Sequence, residues 1–501
     1  MTLLSRVLGF VRDVVIARAF GASLAADAFF VAFKIPNLFR RLFAEGAFSQ
    51  AFVPVLAEYR ARDGEDSVGV LIGAVSGVLA LALFAFTAAG VAAAPVLILL
   101  FAPGFIDEGD KLALATSLLR VTFPYLGLIS LAALAGAVLN TFGRFAVPAF
   151  TPVLLNVALI ACAVGLAPLL DEPVMALAIG VVIGGAAQLG LQVVAVRRLG
   201  LPIRWRIDFA HPGVRRILVL MGPAIFGVSV AQINLMLDTV IASFLETGSI
   251  SWLYYSDRLV EFPLGVFGIA LATVILPSLS SSHSAGSRET FSATLDWALR
   301  WVLVVGTPAA LGLAVLAGPM LSTLFQYGEL GERDVEMAAR SLVAYAGGLL
   351  AFILVKVLAP GYFARQDTRT PVRIGMIAMG ANMVLNLVLV FPLAHAGLAL
   401  ATTLSAYLNA ILLWRGLRRQ GVYARGPGWP LFALRVSLAS AAMCAALGWW
   451  LQPLASWSAW SAATRASQLG FGIALGAATY ALALVACGLR PRHLIMREGA
   501  A

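Results

Sequence analysis

The sequence predicts an all-α polytopic membrane protein of about fourteen transmembrane helices: two parallel six-helix lobes and two further helices at the C-terminal end. Three observations carry this. The chain of 501 residues is 61% hydrophobic and only 12% charged, about half the charged share of ordinary soluble domains. Apolar runs of helical length recur along the whole chain, and only a bilayer hides that much apolar surface. Arginines collect in alternate gaps between those runs, the pattern of loops held on the cytoplasmic side.

The runs fall near 2–20, 25–57, 68–101, 113–141, 149–169, 174–196, 216–245, 251–279, 292–318, 336–363, 371–393, 396–414, 430–451 and 467–488. Even-numbered gaps hold Arg60 and Arg62, Arg144, Arg197, Arg198, Arg204, Arg206, Arg215, Arg216, Arg288, Arg365, Arg369, Arg373, Arg415, Arg418, Arg419 and Arg425, followed by Arg490, Arg492 and Arg497 in the tail. Odd gaps lean acidic, with Asp107, Glu108 and Asp110, then Asp171 and Glu172, Glu246, and finally Glu329, Glu332 and Asp334. Both termini are therefore expected on the cytoplasmic side. The opening "MTLLSRVLGFVRDVV" lacks the apolar core and small-residue cleavage site of a signal peptide. Cys162, Cys444 and Cys487 lie in apolar runs without partner spacing and read as small core residues. The net charge of +10 is spread over short loops, so it reports orientation and not a nucleic-acid partner.

Two halves of the chain echo each other at an offset of about 220 to 225 residues. "IARAFGASLAADAFFVAF" (16–33) resembles "IASFLETGSISWLYYSDR" (241–258), "LLFAPGF" (99–105) resembles "TLFQYGE" (323–329), and "NTFGRFAVP" (140–148) resembles "GYFARQDTRTP" (361–371). Six spans per copy is an even number, so the copies are parallel repeats. The expected organisation is an N-lobe over 1–200, a C-lobe over 214–420 and an unrepeated pair of helices over 428–490. A parallel repeat of this kind predicts a substrate site between lobes and transport by rocking one against the other. The rival reading is a duplicated but static scaffold.

Charges within the spans point to the site. "FKIPNLFRRLFAEGAFSQ" (33–50) carries Lys34, Arg40, Arg41 and Glu45 inside an apolar segment. Three ionised side chains facing lipid would cost on the order of 8–10 kcal/mol, so they are expected to face water or one another. Span 1 adds Arg6, Arg12, Asp13 and Arg18, span 2 opens with Asp27, and span 8 carries Asp257, Arg258 and Glu261. Arg258 and Glu261 are three apart and able to pair. Arg18 reads as an interfacial residue and Arg6 as either interfacial or inward. Arg40 and Arg41 fit either the inner surface or a cavity wall. Asp13, Asp27 and Glu261 fit either substrate contact or pairing with arginines. Cations outnumber anions, and guanidinium suits an anion with paired oxygens such as phosphate, although 32 arginines against 3 lysines make part of that preference compositional.

No G-x-x-x-x-G-K-[ST] and no H-E-x-x-H occurs in the sequence, which argues against direct nucleotide hydrolysis and against a zinc hydrolase. The outer-loop carboxylates Asp107, Glu108 and Asp110 read as ordinary solvated charge. Asp238, Asn382, Asn386 and Thr402 admit two readings: a Na⁺ site built of oxygen ligands, or an interhelical hydrogen-bond cluster. Energy would come from such an ion or from the membrane potential.

With these residues in place, the chain resembles the lipid II flippases of the MurJ (MviN) family, in the MOP exporter superfamily to which the multidrug MATE transporters belong. The resemblance rests on residues 5–59, on "MGPAIFGVSVAQIN" (221–234), on "SWLYYSDRLVEFPLGVFGIALATVILPSLS" (251–280) and on "LVKVLAPGYFARQDTRTPV" (354–372). It implies a central cationic cavity, a groove for the polyprenyl tail along the last two helices, and movement of lipid-linked peptidoglycan precursor from the inner to the outer leaflet. The family positions matched here are Arg6, Arg12, Asp27, Arg40, Arg41, Arg258 and Glu261, with Asp13 as companion. Lipid II and membrane lipids are the implied partners, and cell-wall synthesis and division proteins stay open. The rivals are another exporter of the superfamily, which a positive cavity disfavours for cationic drugs, and a non-transporting scaffold or polyprenyl-phosphate enzyme.

Overall fold

The computed structural model describes residues 2–42, 48–62 and 64–489, and among them every regular element is helical. The first helices are α1 (Thr2–Phe20), α2 (Leu24–Phe39), α3 (Ser49–Arg62), α4 (Gly64–Ala92), α5 (Ala94–Phe101), α6 (Gly109–Thr122) and α7 (Tyr125–Thr141). They are followed by α8 (Ala146–Gly165), α9 (Met175–Arg197), α10 (Pro212–Ala242), α11 (Ser249–Pro263), α12 (Ile269–Ser284), α13 (Arg288–Val315) and α14 (Ala317–Phe325). The chain continues through α15 (Glu332–Leu358), α16 (Pro360–Phe363), α17 (Arg369–Arg419), α18 (Trp429–Trp450), α19 (Leu454–Ala459) and α20 (Ala462–Ala486). Glu45 and the tail arginines Arg490, Arg492 and Arg497 lie outside the described residues.

Local chemistry sets the ends. Ser23, Ser287 and Ser461 each cap a helix, accepting from the backbone N–H three residues on, which satisfies a donor that has no partner inside the helix. Pro36 sits three residues before the end of α2, and Pro263 closes α11 ahead of a π-helical turn at Leu264–Gly268, because a proline removes a donor and crowds the preceding turn.

Among the described residues, ten helices can cross a membrane by length and composition. That is four fewer than the fourteen runs read from the sequence. The run 2–20 is helical as α1 but carries four charges, and the run 25–57 is divided between α2 and α3. The run 216–245 lies on α10, and the runs 371–393 and 396–414 share the 51-residue α17. Inside α17 the backbone breaks at Ala394, at φ 48° and ψ −130°, a region that non-glycine residues rarely enter. Gly397 makes the break possible: a Cβ there would lie 2.2 Å from the Leu389 carbonyl oxygen.

The chain divides into two compact units, Met1–Ser251 and Trp252–Ala501. The sequence placed a lobe boundary near 200–214; in the structure α10 packs with the first unit. Arg216 at its start pairs with Glu58 of α3 at 2.7 Å, and Ser243 at its end accepts from the Gly104 N–H at 3.0 Å. The core of this unit gathers Phe52, Val55, Leu71, Val75, Leu134, Val138 and Ile217 from α3, α4, α7 and α10, while α1 packs on α8 and α2 on α6. An extended segment, 201–208, lies along α4. Cβ atoms at Gly69, Gly73 and Gly77 would meet the carbonyl oxygens of Pro202, Arg204 and Arg206 at 2.8, 2.0 and 2.2 Å, and the Arg206 N–H donates to the Gly73 carbonyl. Three glycines one turn apart thus give a backbone-to-backbone seat.

In the second unit α15 packs on α13 and α17, and α18 on α13 and α20. Two buried charges bind the extra helices to it. Asp296 of α13 accepts from Arg300, from the Tyr423 hydroxyl at 2.8 Å and from the Trp429 indole at 2.6 Å, pinning the start of α18. Burial and this bond push the Tyr423 hydroxyl above its ordinary range. Arg465 of α20 is 7% exposed and donates to four carbonyls, those of Ser322, Gln326, Ser458 and Trp460. Two of these lie at the C-terminal end of α14, where helix carbonyls lack partners and a cation is favoured.

The duplication is visible in contacts as well as in sequence. Asp27 of α2 meets Lys111 of α6, and Trp252 of α11 meets Asp334 of α15 at 3.0 Å; Trp252 and Asp334 lie 225 and 223 residues after Asp27 and Lys111. Equivalent helices touch through equivalent positions although the residue types differ.

Replacing Arg465 with Leu removes all four of these hydrogen bonds, and of the four carbonyls that of Ser322 keeps the Gln326 N–H. The protein should lose about 3 kcal/mol of stability, seen as an earlier transition in thermal unfolding of the purified chain in detergent. An unchanged transition would mean that the knot does not hold α20.

Candidate functional site

The charged side chains of α1 lie along a helix that packs on α8. Arg12 donates from Nε and Nη2 to Asp13 Oδ1 at 2.9 and 2.6 Å, and from Nη1 to Asn156 Oδ1 of α8 at 3.1 Å. The Asn156 amide in turn donates to the Ser5 carbonyl. The Arg12 side chain is 12% exposed and Asp13 is 2% exposed. Arg6 and Arg18 are exposed. Of the two roles open to Asp13, the geometry displays pairing with an arginine.

In α2 the Asp27 carboxylate is closed in. It accepts from the Gly248 N–H at 2.7 Å, the Ser251 N–H at 2.9 Å and the Ser251 hydroxyl at 2.6 Å, and Lys111 Nζ stands 3.5 Å away. Both its oxygens are engaged at the N-terminal turn of α11, where backbone donors favour an anion. Its ionic partner is therefore a lysine and not one of the arginines the sequence suggested. Further along α2, Lys34 donates to the Thr239 hydroxyl of α10. Arg40 is half-buried with its Nε on Asn37 Oδ1 at 3.1 Å, and Arg41 is exposed.

The second unit contributes Arg258 and Glu261 on α11. Their side chains pair at 2.6 Å, as the spacing of three predicted, with 35% and 51% exposure. The guanidinium also lies over the Tyr254 ring at 4.8 Å. Arg258 is thus oriented from two sides while staying open enough to meet an oxyanion, and a second oxyanion would compete with Glu261 for the same planar fork.

The four residues considered as a Na⁺ site fall in different surroundings. Asp238 lies on α10 in the first unit and is half-buried. Asn382 and Asn386 are fully buried on α17, where the Asn382 amide donates toward Thr402 Oγ1 and Ser405 Oγ at 3.5 and 3.4 Å and the Asn386 amide donates to Asn382 Oδ1 at 3.2 Å. The Thr402 hydroxyl donates to the Leu398 carbonyl. The Asn382 and Asn386 amides are directed at these oxygens, as in an interhelical polar cluster. Among the described residues no group of three or more His, Cys, Asp or Glu side chains could hold a metal.

Sequence reasoning missed Lys111 and Asn156. Lys111 is 1% exposed and holds three partners: Asp27, Glu108 Oε1 at 3.5 Å and the Thr247 hydroxyl at 3.0 Å, with the Phe105 ring at 4.6 Å. Glu108, read as solvated charge, also accepts from the Thr247 hydroxyl, whereas Asp107 and Asp110 are exposed as expected. The available signal was the rarity of lysine and the three-residue spacing of Glu108 and Lys111. Asn156 offered none, since one amide in an apolar run looks the same whether or not an arginine faces it.

A buried pair stripped of one partner leaves an uncompensated charge, at about 3–5 kcal/mol. Asp27→Asn and Lys111→Met should each lower the melting temperature strongly, while the double variant should recover part of the loss. Additive losses in the four-protein cycle would show that the two do not interact.

A family model described as lipid II flippase MurJ matches residues 16–466. The chain is 52% identical over 503 aligned residues to a probable lipid II flippase MurJ of Vibrio cholerae serotype O1, covering 99% of this chain and 95% of that one. It is similar to the solved structure of a lipid II flippase MurJ in an inward closed conformation, with a TM-score of 0.78, 25% identity and 96% coverage of each chain. An inward-facing MATE transporter of the MOP superfamily shares the fold at a TM-score of 0.64 and 12% identity, over 84% of this chain and 95% of that one. With its many apolar helices it is a multi-pass inner-membrane protein, and the chain belongs to the lipid II flippase MurJ family.

Proposed function

We propose that this chain moves lipid II from the inner to the outer leaflet of the cytoplasmic membrane, as a transporter and not an enzyme. The observation that carries the reading is the 52% identity to a probable lipid II flippase along 99% of the chain, which spans both units. Lipid II pairs a diphosphate–sugar head with a polyprenyl tail, and the residues present suit both ends. Arg258, Arg6 and Arg41 offer guanidinium groups with exposure, and Arg12 is oriented by Asp13 and Asn156.

In this proposal the diphosphate takes up hydrogen bonds from Arg258, displacing part of its pairing with Glu261, and Arg6, Arg12, Arg40 and Arg41 supply further positive charge. Asp13 and Asp27 act as positioning residues: Asp13 fixes the Arg12 fork, and Asp27 holds the first turn of α11, the helix that bears Arg258. The tail stays in hydrocarbon along α18 and α20. The protein exchanges access between the two faces of the membrane, with its termini on the cytoplasmic side. An inside-negative potential favours outward movement of each net negative charge by about 2.3 kcal/mol per 100 mV, so an anionic headgroup can be driven without nucleotide hydrolysis.

Vesicles containing this protein alone and labelled lipid II test the reading. Transfer to the opposite leaflet should appear only with protein present and should quicken when the potential is set to favour it. Arg258→Ala should slow transfer about tenfold or more, the worth of a charge-assisted contact, with the melting temperature little changed, and Arg258→Lys should keep part of the rate. Normal transfer by Arg258→Ala would overturn its assigned role, and no transfer by the parent protein would overturn the function.

A further inference from the structure

We infer that the segment 201–209 is a built binding site for anionic phospholipid headgroups, with Arg204 and Arg206 as its cations and Trp205 as its interfacial anchor. The inference rests on the cytoplasmic orientation proposed above for this gap, and it goes beyond lipid II as substrate.

The segment is extended and seated. Its carbonyls at Pro202, Arg204 and Arg206 lie against Gly69, Gly73 and Gly77 of α4, so closely that any Cβ at Gly73 or Gly77 would collide with them. Leu199, Leu201 and Ile203 pack partly against the core of the first unit. The backbone is therefore anchored along roughly 12 Å of α4, at 1.5 Å per residue, and the side chains beyond Ile203 are presented outward from a fixed base.

What it presents is unusual for a surface facing water. Trp205, Ile207 and Phe209 are 68%, 60% and 52% exposed, and they alternate with the exposed guanidiniums of Arg204 and Arg206. Aromatic rings interleaved with arginine suit the headgroup layer, where the ring meets the upper acyl region and the cation meets phosphate. The charges are also available. Arg206 has only Asp208 nearby, at 3.6 Å, and that carboxylate is already engaged by the Ala210 and His211 N–H groups. Among the described residues Arg197, Arg198, Arg204 and Arg215 form no ion pair, while Arg216 is taken up by Glu58. Charge complementarity thus selects an anionic headgroup over a zwitterionic one, and the glycine seat supplies the preorganisation that a loose basic loop lacks.

The test uses the full chain in phosphatidylcholine vesicles containing a minority of brominated phosphatidylglycerol, with the Trp205→Phe protein subtracted so that the difference reports Trp205. Brominated phosphatidylglycerol should quench Trp205 several-fold more than brominated phosphatidylcholine at equal mole fraction, and high salt should remove the excess. The double variant Arg204→Gln/Arg206→Gln should bind phosphatidylglycerol about thirty-fold more weakly. Gly73→Val keeps every arginine but displaces the segment, and it should weaken the preference too. Equal quenching by the two lipids in the parent protein overturns the inference without recourse to a variant. So does a preference that survives loss of Arg204 and Arg206, or one that falls as far in Arg369→Gln/Arg373→Gln, where only general surface charge is changed. Binding is read without translocation, so failure here is distinct from failure of the flippase reading.

Discussion

A charge in hydrocarbon must find a partner inside the protein, and that constraint organises this molecule. Water cannot repair an unpaired ion or carbonyl at membrane depth. The buried charged side chains Asp13, Asp27, Lys111, Asp296 and Arg465 each have partners, and all but Asp13, whose partner is the adjacent Arg12, tie together helices that the chain alone would leave separate. Asp27 and Lys111 bind α2, α6 and the start of α11 together. Asp296 and Arg465 do the same for α18 and α20, which the internal repeat does not account for.

Against that background the exposed cations acquire meaning. Arg258 is held by Glu261 and by the Tyr254 ring, yet a third of its surface stays open. A guanidinium that is oriented and still partly exposed leaves surface for a further oxyanion, which is what the proposed role of Arg258 rests on. Arg12 sits at the other extreme, its donors largely committed to Asp13 and Asn156. The two arginines that sequence alone ranked together therefore differ in exposure, 12% against 35%.

The fold class was legible because it is written in properties that survive averaging, whereas the lipid II function came from the family resemblance carried by residues 5–59, 221–234, 251–280 and 354–372. Hydropathy, the alternation of arginine-rich gaps and an offset repeat need no knowledge of contacts, since the bilayer imposes them on every helix. The pairing of Arg258 with Glu261 was also legible, because a spacing of three fixes neighbours on a helix. The segment 33–50, by contrast, showed that its charges needed relief without showing where it lay: Lys34 found a hydroxyl on α10 and Arg40 an amide one turn back.

By itself, then, the chain determined a polytopic helical protein, its duplicated halves and the short list of charges that hydrocarbon would not tolerate. Tertiary structure decided which of those charges are buried and which are exposed. It chose Lys111 as the counter-ion of Asp27, turned Asn382, Asn386 and Thr402 into a hydrogen-bond cluster, brought α10 into the first unit and seated the 201–208 segment on three glycines of α4. The physical reason is range: periodicity and local spacing act within a few turns, whereas the partner of a buried ion is set by which distant helix happens to face it.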